Sequence, residues 1–527
     1  MTLDPVGLAV MAHTFAGVAE EMGAVLVASS VSPNIRERRD SSAALFDAAG
    51  EMVAQAAHIP VHLGAMPDAV AAIRGLTPDP GDTFLLNDPF TGGTHLPDLT
   101  LVHAIELDGA VAGYTVVRAH HSDVGGSRPG SMPPDSTDVF QEGLVIPPVR
   151  WAIGGLVVRD VERLVLANVR TPDMRRHDLA AQLAACERGA LRYRELVARH
   201  GAAYVAGASR DLLDYAERRA RASVMERLKP GIYEATDWLE GDGIVDRDLA
   251  LRVAITVAAD GSLACDFRGT DRAARGNVNC PLSVTRSAAL FVLRCVVDDD
   301  IPTNGGLQRV VTLAAPTGCI VNAQAPRAVA SGNVETSQRI TDLLFAALAP
   351  TATLPAQGQG TMNNIVFGGE GWTYYETLGG GQGASQVGNG PSGVHVGMSN
   401  TRNTPVEVFE LEHPVRIRTY AMRWGSGGTG VHVGGDGVVR EYEALAPVEV
   451  SLLCERRRHA PRGAAGGGNG MPGRNLLNGQ AIAGRTALHL SPGDVLRIET
   501  PGGGGHGDGQ GRTRTGRTET DEDGRQR

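Results

Sequence analysis

Apolar residues in the N-terminal segment recur at alternating spacings of three and four. Leu8, Met11, Phe15, Val18, Met22 and Val25 form one such stripe, which is one face of an α-helix. Pro33 sets its latest end, and the stripe fits a core or subunit-interface helix. Residues 43–55 read as strand, turn and strand, with Asp47-Ala-Ala-Gly50 as the turn. Residues 64–76 predict a short helix ahead of Pro78 and Pro80. Residues 83–86 and 99–105 then read as strands, and Asp108-Gly109 as a hairpin turn leading into a returning strand at 111–120. Alternation puts Tyr114, Val116, Arg118 and His120 on one face. His121 points the other way unless the chain bends, so the two adjacent histidines have different jobs.

Residues 173–229 are rich in Ala, Leu, Arg and Glu and predict at least two helices, split at Gly201 and Gly207 and closed by Lys229-Pro230-Gly231. Beyond Gly231 short β-rich runs appear at 249–258 and 263–268. Buried helices are predicted at 283–297 and 336–349. Past Gly358 glycine becomes dense, yet apolar alternation persists at 406–411 and 448–453, which reads as tight antiparallel strands joined by glycine turns. The fold class is mixed α+β. Its expected parts are an N-terminal metal-bearing region (1–170), a helical region (171–230), an α/β middle region (231–357), a glycine-rich β region (358–508) and a disordered tail (509–527). The parts are expected to interlock.

Composition narrows the chemistry. A chain of 527 residues with 42% hydrophobic residues can bury a large core. A net charge of −10 gives no sign of a nucleic-acid surface. Lys229 is the only lysine, so neither a Gly-Lys-Ser/Thr phosphate loop nor Schiff-base chemistry is expected. The six cysteines, Cys186, Cys265, Cys280, Cys295, Cys319 and Cys454, form no C-x-x-C pair, and their scatter fits a reducing cytoplasm. The N-terminus does not read as a secretory signal. No uninterrupted apolar run is expected to cross a membrane. Glycine numbers 68 of 527 residues, nearly twice the usual share of about 7%.

The candidate chemistry lies at the ends of the hairpin. His95-Leu-Pro-Asp98 and His120-His121-Ser-Asp123 flank it, beside Gly92-Gly93 and Gly125-Gly126. Imidazoles and carboxylates delivered from two strand ends can surround one divalent ion, zinc or manganese by donor type. His, Asp and Gly are equally ordinary turn formers, and such a hairpin needs no metal. The expected ligands are His95, Asp98, His120 and Asp123. His121 and Asp88 are the catalytic candidates, with Asp88 acting through the ligands and His121 as acid, base or replacement ligand. Arg36, Arg38, Arg39 and Asp40 form a charged run. In an extended strand Arg36, Arg38 and Asp40 share a face that could hold a carboxylate or phosphate, Arg36 and Arg39 also being anion candidates, against a solvated or salt-bridged strand. His58 and His62 flank Pro60 and read as pocket residues or as turn histidines. The glycines 502–505 read as a tight turn against the active region.

Several blocks resemble the hydantoinase B/oxoprolinase family. They are SPNIRERRD (32–40), ALFDAAGEMVAQ (44–55), HIPVHLGAMP (58–67), NDPFTGGTHLPD (87–98), HHSDVGGSRPGSMP (120–133), EGLVIPP (142–148), NVRTPDMRRHDLAAQLAA (168–185), RWGSGGTGVHVGGDGVVRE (423–441) and PGDVLRIETPGGGGHGD (492–508). This family includes the B-type subunits of N-methylhydantoin hydrolases, the C-terminal half of 5-oxoprolinases, caprolactamase components, and subunits of acetone and acetophenone carboxylases. The resemblance implies a cytoplasmic B-type subunit of an ATP-dependent enzyme that opens a cyclic amide such as a hydantoin, oxoproline or lactam. It implies an A-type partner that binds ATP and magnesium and phosphorylates the substrate, in a hetero-oligomer with two copies of each component. It implies a metal in the hairpin region without fixing each ligand. A ketone carboxylase component and a non-catalytic scaffold for the A-type partner are the alternatives. Relatives carry an aromatic where His506 stands, which leaves its role open.

Overall fold

The structure, a computed structural model, describes residues 3–509. The expected tail at 509–527 lies outside the described residues except for Gly509. Helices alternate with sheets that are antiparallel apart from one parallel strand pair, which fits the α+β expectation.

The first sheet has seven strands: β1 (Ser41–Asp47), β2 (Met52–Ala57), β3 (Thr83–Leu86), β4 (Asp98–Leu107), β5 (Ala110–His120), β6 (Val149–Ile153) and β7 (Leu156–Val157). Their order is β2-β1-β5-β4-β3-β6-β7. Side-chain alternation splits its two faces. Leu45, Leu101, Ile105, Val117 and Ala119 pack with the N-terminal helix Pro5–Ser29 and the Pro172–His200 helix. Phe46, Val102, Tyr114 and Val116 pack instead on the short helix Met66–Arg74.

The N-terminal helix is capped by Asp4, whose side chain accepts from Gly7 N at 2.6 Å, and it ends before Pro33. By length and composition this helix could cross a bilayer, which qualifies the sequence expectation. Met11, Phe15, Val18, Met22 and Leu26 are nonetheless buried against the protein. The helical region divides at Gly201, which takes φ +85°, into Pro172–His200 and Ala202–Arg227. Gly207 does not break the second helix.

A four-stranded sheet follows, with β8 (Gly231–Glu240), β9 (Asp248–Val257), β10 (Leu263–Asp266) and β11 (Val311–Ala314) in the order β11-β10-β9-β8. The helices Leu282–Val296 and Ser337–Leu348 share its core. A single π-helical turn, Gly332–Thr336, leads into the latter. Such turns are frequent at functional sites.

Two further antiparallel sheets complete the C-terminal part. Residues 406–411, expected as a strand, form the helix Val406–Glu412. Six residues of alternation cannot outweigh Pro405 at the N-cap and the acidic residues that follow.

The glycines 502–505 are also not a turn. None takes a positive φ, and they run through the centre of a bundle of extended segments. Pro501 O accepts from Gly381 N and Gly504 O from Ala384 N, both in the segment 379–384. Gly502 N donates to Met471 O and Gly505 N to Gly468 O, both in 463–471. Gly503 N donates to Gly435 O and His506 N to His432 O, both in 426–435. The partner segment therefore repeats every third residue, the period of a polyproline II-type helix. Close packing excludes side chains: a Cβ on Gly502, Gly503, Gly504 or Gly505 would lie 2.0–2.2 Å from a neighbouring carbonyl oxygen. This bundle anchors the segment that leads on to Ser399 and Thr401.

Candidate active site

The hairpin ends meet as its spacing requires. β4 begins at Asp98 and β5 ends at His120, and these two residues are register partners. The preceding turn needs its glycines, since Gly92 takes φ +104° and a Cβ on Gly93 would lie 2.3 Å from Asn87 O. His95 sits on this turn. The 3-10 turn Pro60–His62 adds a third imidazole.

Asp98 is the centre. Its Oδ1 lies 3.3 Å from His95 Nε2 and its Oδ2 3.5 Å from His62 Nε2. Thr94 Oγ1 also donates to Oδ2, and Asn333 Nδ2 reaches it at 3.5 Å. The His95 and His120 rings are 5.0 Å apart. His120 stacks on Tyr375 at 4.6 Å, and Asn34 Nδ2 lies 3.2 Å from its Nδ1. All four charged or titratable groups are at most 3% exposed. Burial alone would raise the Asp98 pKa, but His95 and His62 outweigh it and hold the carboxyl well below its ordinary value. Burial, reinforced by His95, pushes His120 well below the usual histidine range. Asp40 lines the same cavity, and burial raises its carboxyl, opposed in part by Arg38.

Several nitrogens here lack hydrogen-bond partners: His62 Nε2, both nitrogens of His95, and His120 Nε2. His62 and His95 are within Coulombic reach of Asp98 without being aligned as donors. Buried orphans of this kind need an explanation. His62 Nδ1 is already bonded to Ser42 Oγ at 3.0 Å. If Nδ1 carries the ring proton, the Nε2 lone pair faces a carboxylate, an arrangement that calls for a proton or a cation between them. Among the described residues, no three His, Cys, Asp or Glu side chains are gathered as a ready coordination shell. The donor set itself, three imidazoles around one carboxylate, fits a divalent ion.

His62, Asp98 and His120 face a small cavity of about 10 Å³. Ile59, Val61, Val334 and Met362 give it an apolar side, and Thr377, Ser399 and Thr401 a hydroxyl side. Glu335, on the π-turn behind it, accepts from Met362 N at 3.0 Å and Asn364 Nδ2 at 2.7 Å. Asn364 Oδ1 in turn accepts from Tyr375 Oη at 2.8 Å. Burial pushes Glu335 up to about 8.

The remaining expected residues lie elsewhere. Asp123 is not brought to the cluster: Gly125 N, Gly130 N, Arg170 N and Arg170 Nη1 donate to its two oxygens. It closes a loop. Asp88 accepts from Phe90 N at 2.9 Å and from the Thr91 hydroxyl, and is a turn residue. His121 points to the opposite face of the sheet, as alternation requires, where its Nε2 pairs with Gln182 Oε1 at 2.8 Å. Burial lowers its pKa to about 4. Arg36 is exposed and faces Glu37, Arg39 follows the turn at a positive φ of 55°, and neither lines the cavity. His58 packs against Gly23 of the N-terminal helix, and burial lowers its pKa. Of that group only His62 reaches the cluster. Sequence reasoning did not foresee Asn34, Tyr375, Thr377, Ser399, Thr401, Asn333 or Glu335 at the site. No local motif marks them, because tertiary closure alone brings them there.

Comparison with known proteins identifies the family. The hydantoinase B/oxoprolinase family profile matches residues 4–509. Arabidopsis thaliana 5-oxoprolinase 1 is 38% identical over 95% of this chain. A Pseudomonas sp. protein named as the B-type component of a D-/L-hydantoinase is 32% identical over 89% of this chain and 83% of its own length. The chain spans 42% of the length of the plant 5-oxoprolinase. Among solved structures, the ATP-dependent caprolactamase from Pseudomonas jessenii superposes with a TM-score of 0.89 at 27% identity, covering 96% of this chain and 92% of that one. Acetone carboxylase superposes with a TM-score of 0.86 at 18% identity, covering 96% and 76%, and so shares the fold. With a family profile that spans almost the whole sequence, the chain belongs to the hydantoinase B/oxoprolinase family.

Proposed function

We propose that this chain is the B-type component of an ATP-dependent enzyme that opens a cyclic amide, acting on a substrate phosphorylated by an A-type partner that binds ATP and magnesium. The observation that carries the reading is the gathering of His62, His95 and His120 around Asp98, with His62, Asp98 and His120 lining one buried cavity, in a chain of this family. Those four residues would hold a divalent ion, zinc or manganese by donor type. Such an ion supplies Lewis-acid polarisation of a carbonyl or phosphoryl oxygen.

The chain's own residues do the rest. Ser42 holds His62 by Nδ1, and the Asn34 amide holds His120 by Nδ1. As placed, Asn34 Nδ2 meets His120 Nδ1; a flip of that amide would let its oxygen accept from Nδ1–H and leave the Nε2 lone pair for the cavity. Asp40, on the cavity wall with a raised pKa, is placed to hold and return a proton during C–N cleavage. The apolar side, Ile59, Val61, Val334 and Met362, limits water at the cluster. The B-type hydantoinase relative supports a hetero-oligomer, for which we propose two copies of each component.

The test is reconstitution with the A-type partner, followed by ATP-dependent loss of hydantoin, oxoproline and caprolactam, with ketone plus bicarbonate as the carboxylase arm. Ring opening that disappears in His95→Ala is the expected result. Turnover unchanged in that variant would make the chain a scaffold. Carboxylation without ring opening would overturn the hydrolase reading.

A further inference from the structure

The hydroxyl side of the cavity has no role in holding the imidazole cluster. Thr377, Ser399 and Thr401 line it, and Arg38 stands behind it, fully buried. Arg38 Nη1 donates to Tyr375 O at 2.9 Å. Its Nη2 donates to Thr377 Oγ1 at 3.1 Å and to Thr401 Oγ1 at 3.3 Å. Its Nε has no partner, and among the described residues the guanidinium forms no ion pair. Asp40 feels its charge without forming an ion pair, and a buried cation so weakly compensated is costly, by several kcal/mol. This one is tolerated beside a cavity, where an anion can reach its field.

Hydrogen-bond accounting indicates what the hydroxyls offer. Each threonine has one proton to give and two lone pairs, and each accepts from Arg38. Their oxygens are 2.7 Å apart, so one hydroxyl donates to the other. The remaining proton is free to donate into the cavity. Ser399 Oγ shares a bond of 2.8 Å with His395 Nδ1, and the buried His395 Nε2 has no partner. If His395 Nδ1 carries the ring proton, Ser399 also turns its own hydrogen to the cavity.

We propose that Arg38, Thr377 and Thr401, with Ser399 beside them, form an oxyanion seat that takes the phosphoryl group of the activated substrate. The inference rests on the phosphorylated-substrate reading above and deepens it. Two hydroxyl protons, one from the threonine pair and one from Ser399, backed by a guanidinium charge, suit the peripheral oxygens of a phosphoryl group, whose greater negative charge the guanidinium favours over that of a carboxylate. Seated there, the phosphoryl group leaves the adjoining carbon turned to the Asp98 cluster.

The test uses the full chain, treated with chelator, and inorganic phosphate as probe. Calorimetry should show saturable phosphate binding, weakened about tenfold in Thr401→Val, equivalent to about 1.4 kcal/mol. Thr377→Val should act alike, and acetate should bind more weakly than phosphate. Arg38 variants risk misfolding, so the shape-conserving threonine variants, with unchanged circular dichroism, carry the test. Absence of phosphate binding, equal affinity in both variants and the parent chain, or acetate binding at least as tightly would overturn the seat. Neither ATP nor the A-type partner is needed, so the two readings separate. Ring opening by the complex without phosphate binding sinks only the seat; phosphate binding as expected without ring opening sinks only the amide reading.

Discussion

His120 lies flat on Tyr375, with ring centroids 4.6 Å apart and planes 15° from parallel. The imidazole comes from the end of the first sheet and the phenol from a strand of another, Trp372–Glu376. Tyr375 is itself pinned by its hydroxyl to Asn364 and covered by the Arg38 guanidinium, 4.6 Å from its ring centroid. The orientation of a cluster imidazole is therefore set by a distant part of the chain.

Replacing Tyr375 tests that dependence. Tyr375→Leu should lower divalent-metal affinity by roughly tenfold or more, the usual size of an effect exerted through a ligand's support. Tyr375→Phe keeps the stack and should stay close to wild type. Competition with a chromophoric chelator reads both; equal losses would show that the stack is irrelevant.

Asp98 and Asp123 separate chemistry from architecture. Asp98→Asn should abolish metal retention and turnover while the fold persists. Asp123→Asn removes the anion that four donors share and should cost about 1–3 kcal/mol of stability, with metal content unchanged. Urea melts and elemental analysis on the pair distinguish the roles.

Two buried carboxyls set a slope in stability against pH. Burial raises Glu335 from its ordinary 4.5 to about 8 and Glu142 from 4.5 to about 7. The folded state thus holds these protons more tightly than the unfolded chain. Their stabilising contribution is complete below pH 4.5 and declines until pH has passed about 8. Asp98 works in the opposite sense, losing its contribution only as pH falls below 3.8. The lowered histidines, His120 and His121 among them, oppose this trend up to about pH 6.5, so the urea midpoint should drop between about pH 6.5 and 8.5, and Glu335→Gln should flatten that drop. An unaltered slope in the variant would show that Glu335 does not titrate as described.

Glycines in the C-terminal bundle should differ sharply in tolerance. In Gly504→Ala the new Cβ would lie 2.2 Å from Arg462 O, a backbone atom that cannot swing aside. The cost should exceed the usual range of about 1–3 kcal/mol for overpacking. Gly388→Ala meets nothing within 4 Å and should be neutral. Thermal melting of the two variants decides it.

Much of the N-terminal architecture was legible because it follows short-range rules. The hairpin ending at His120, the split at Gly201 and the opposite aim of His120 and His121 all follow from period and turn chemistry. So did three of the cluster residues, His95, Asp98 and His120. Asp123 misled because carboxylates beside glycines serve loop closure as readily as binding. Arg36 misled because a strand was assumed where Pro33–Arg36 is a helical turn, so that of the face expected to carry Arg36 and Arg38 only Arg38 points inward. Tyr375 and the threonines carried no local signal, since long-range packing alone makes them neighbours of Asp98. The glycine ribbon was misread because turn chemistry and a side-chain-free lattice demand the same residue.

That ribbon works as a reading frame in space. Since residues 501–506 meet the same neighbour every third position, deleting one residue would rotate each later amide toward a different segment, while removing three would return it to the original. Length variation there is confined to whole triplets, so any homologous chain that keeps the lattice must conserve the count between its flanking strands more strictly than the identity of most residues outside it.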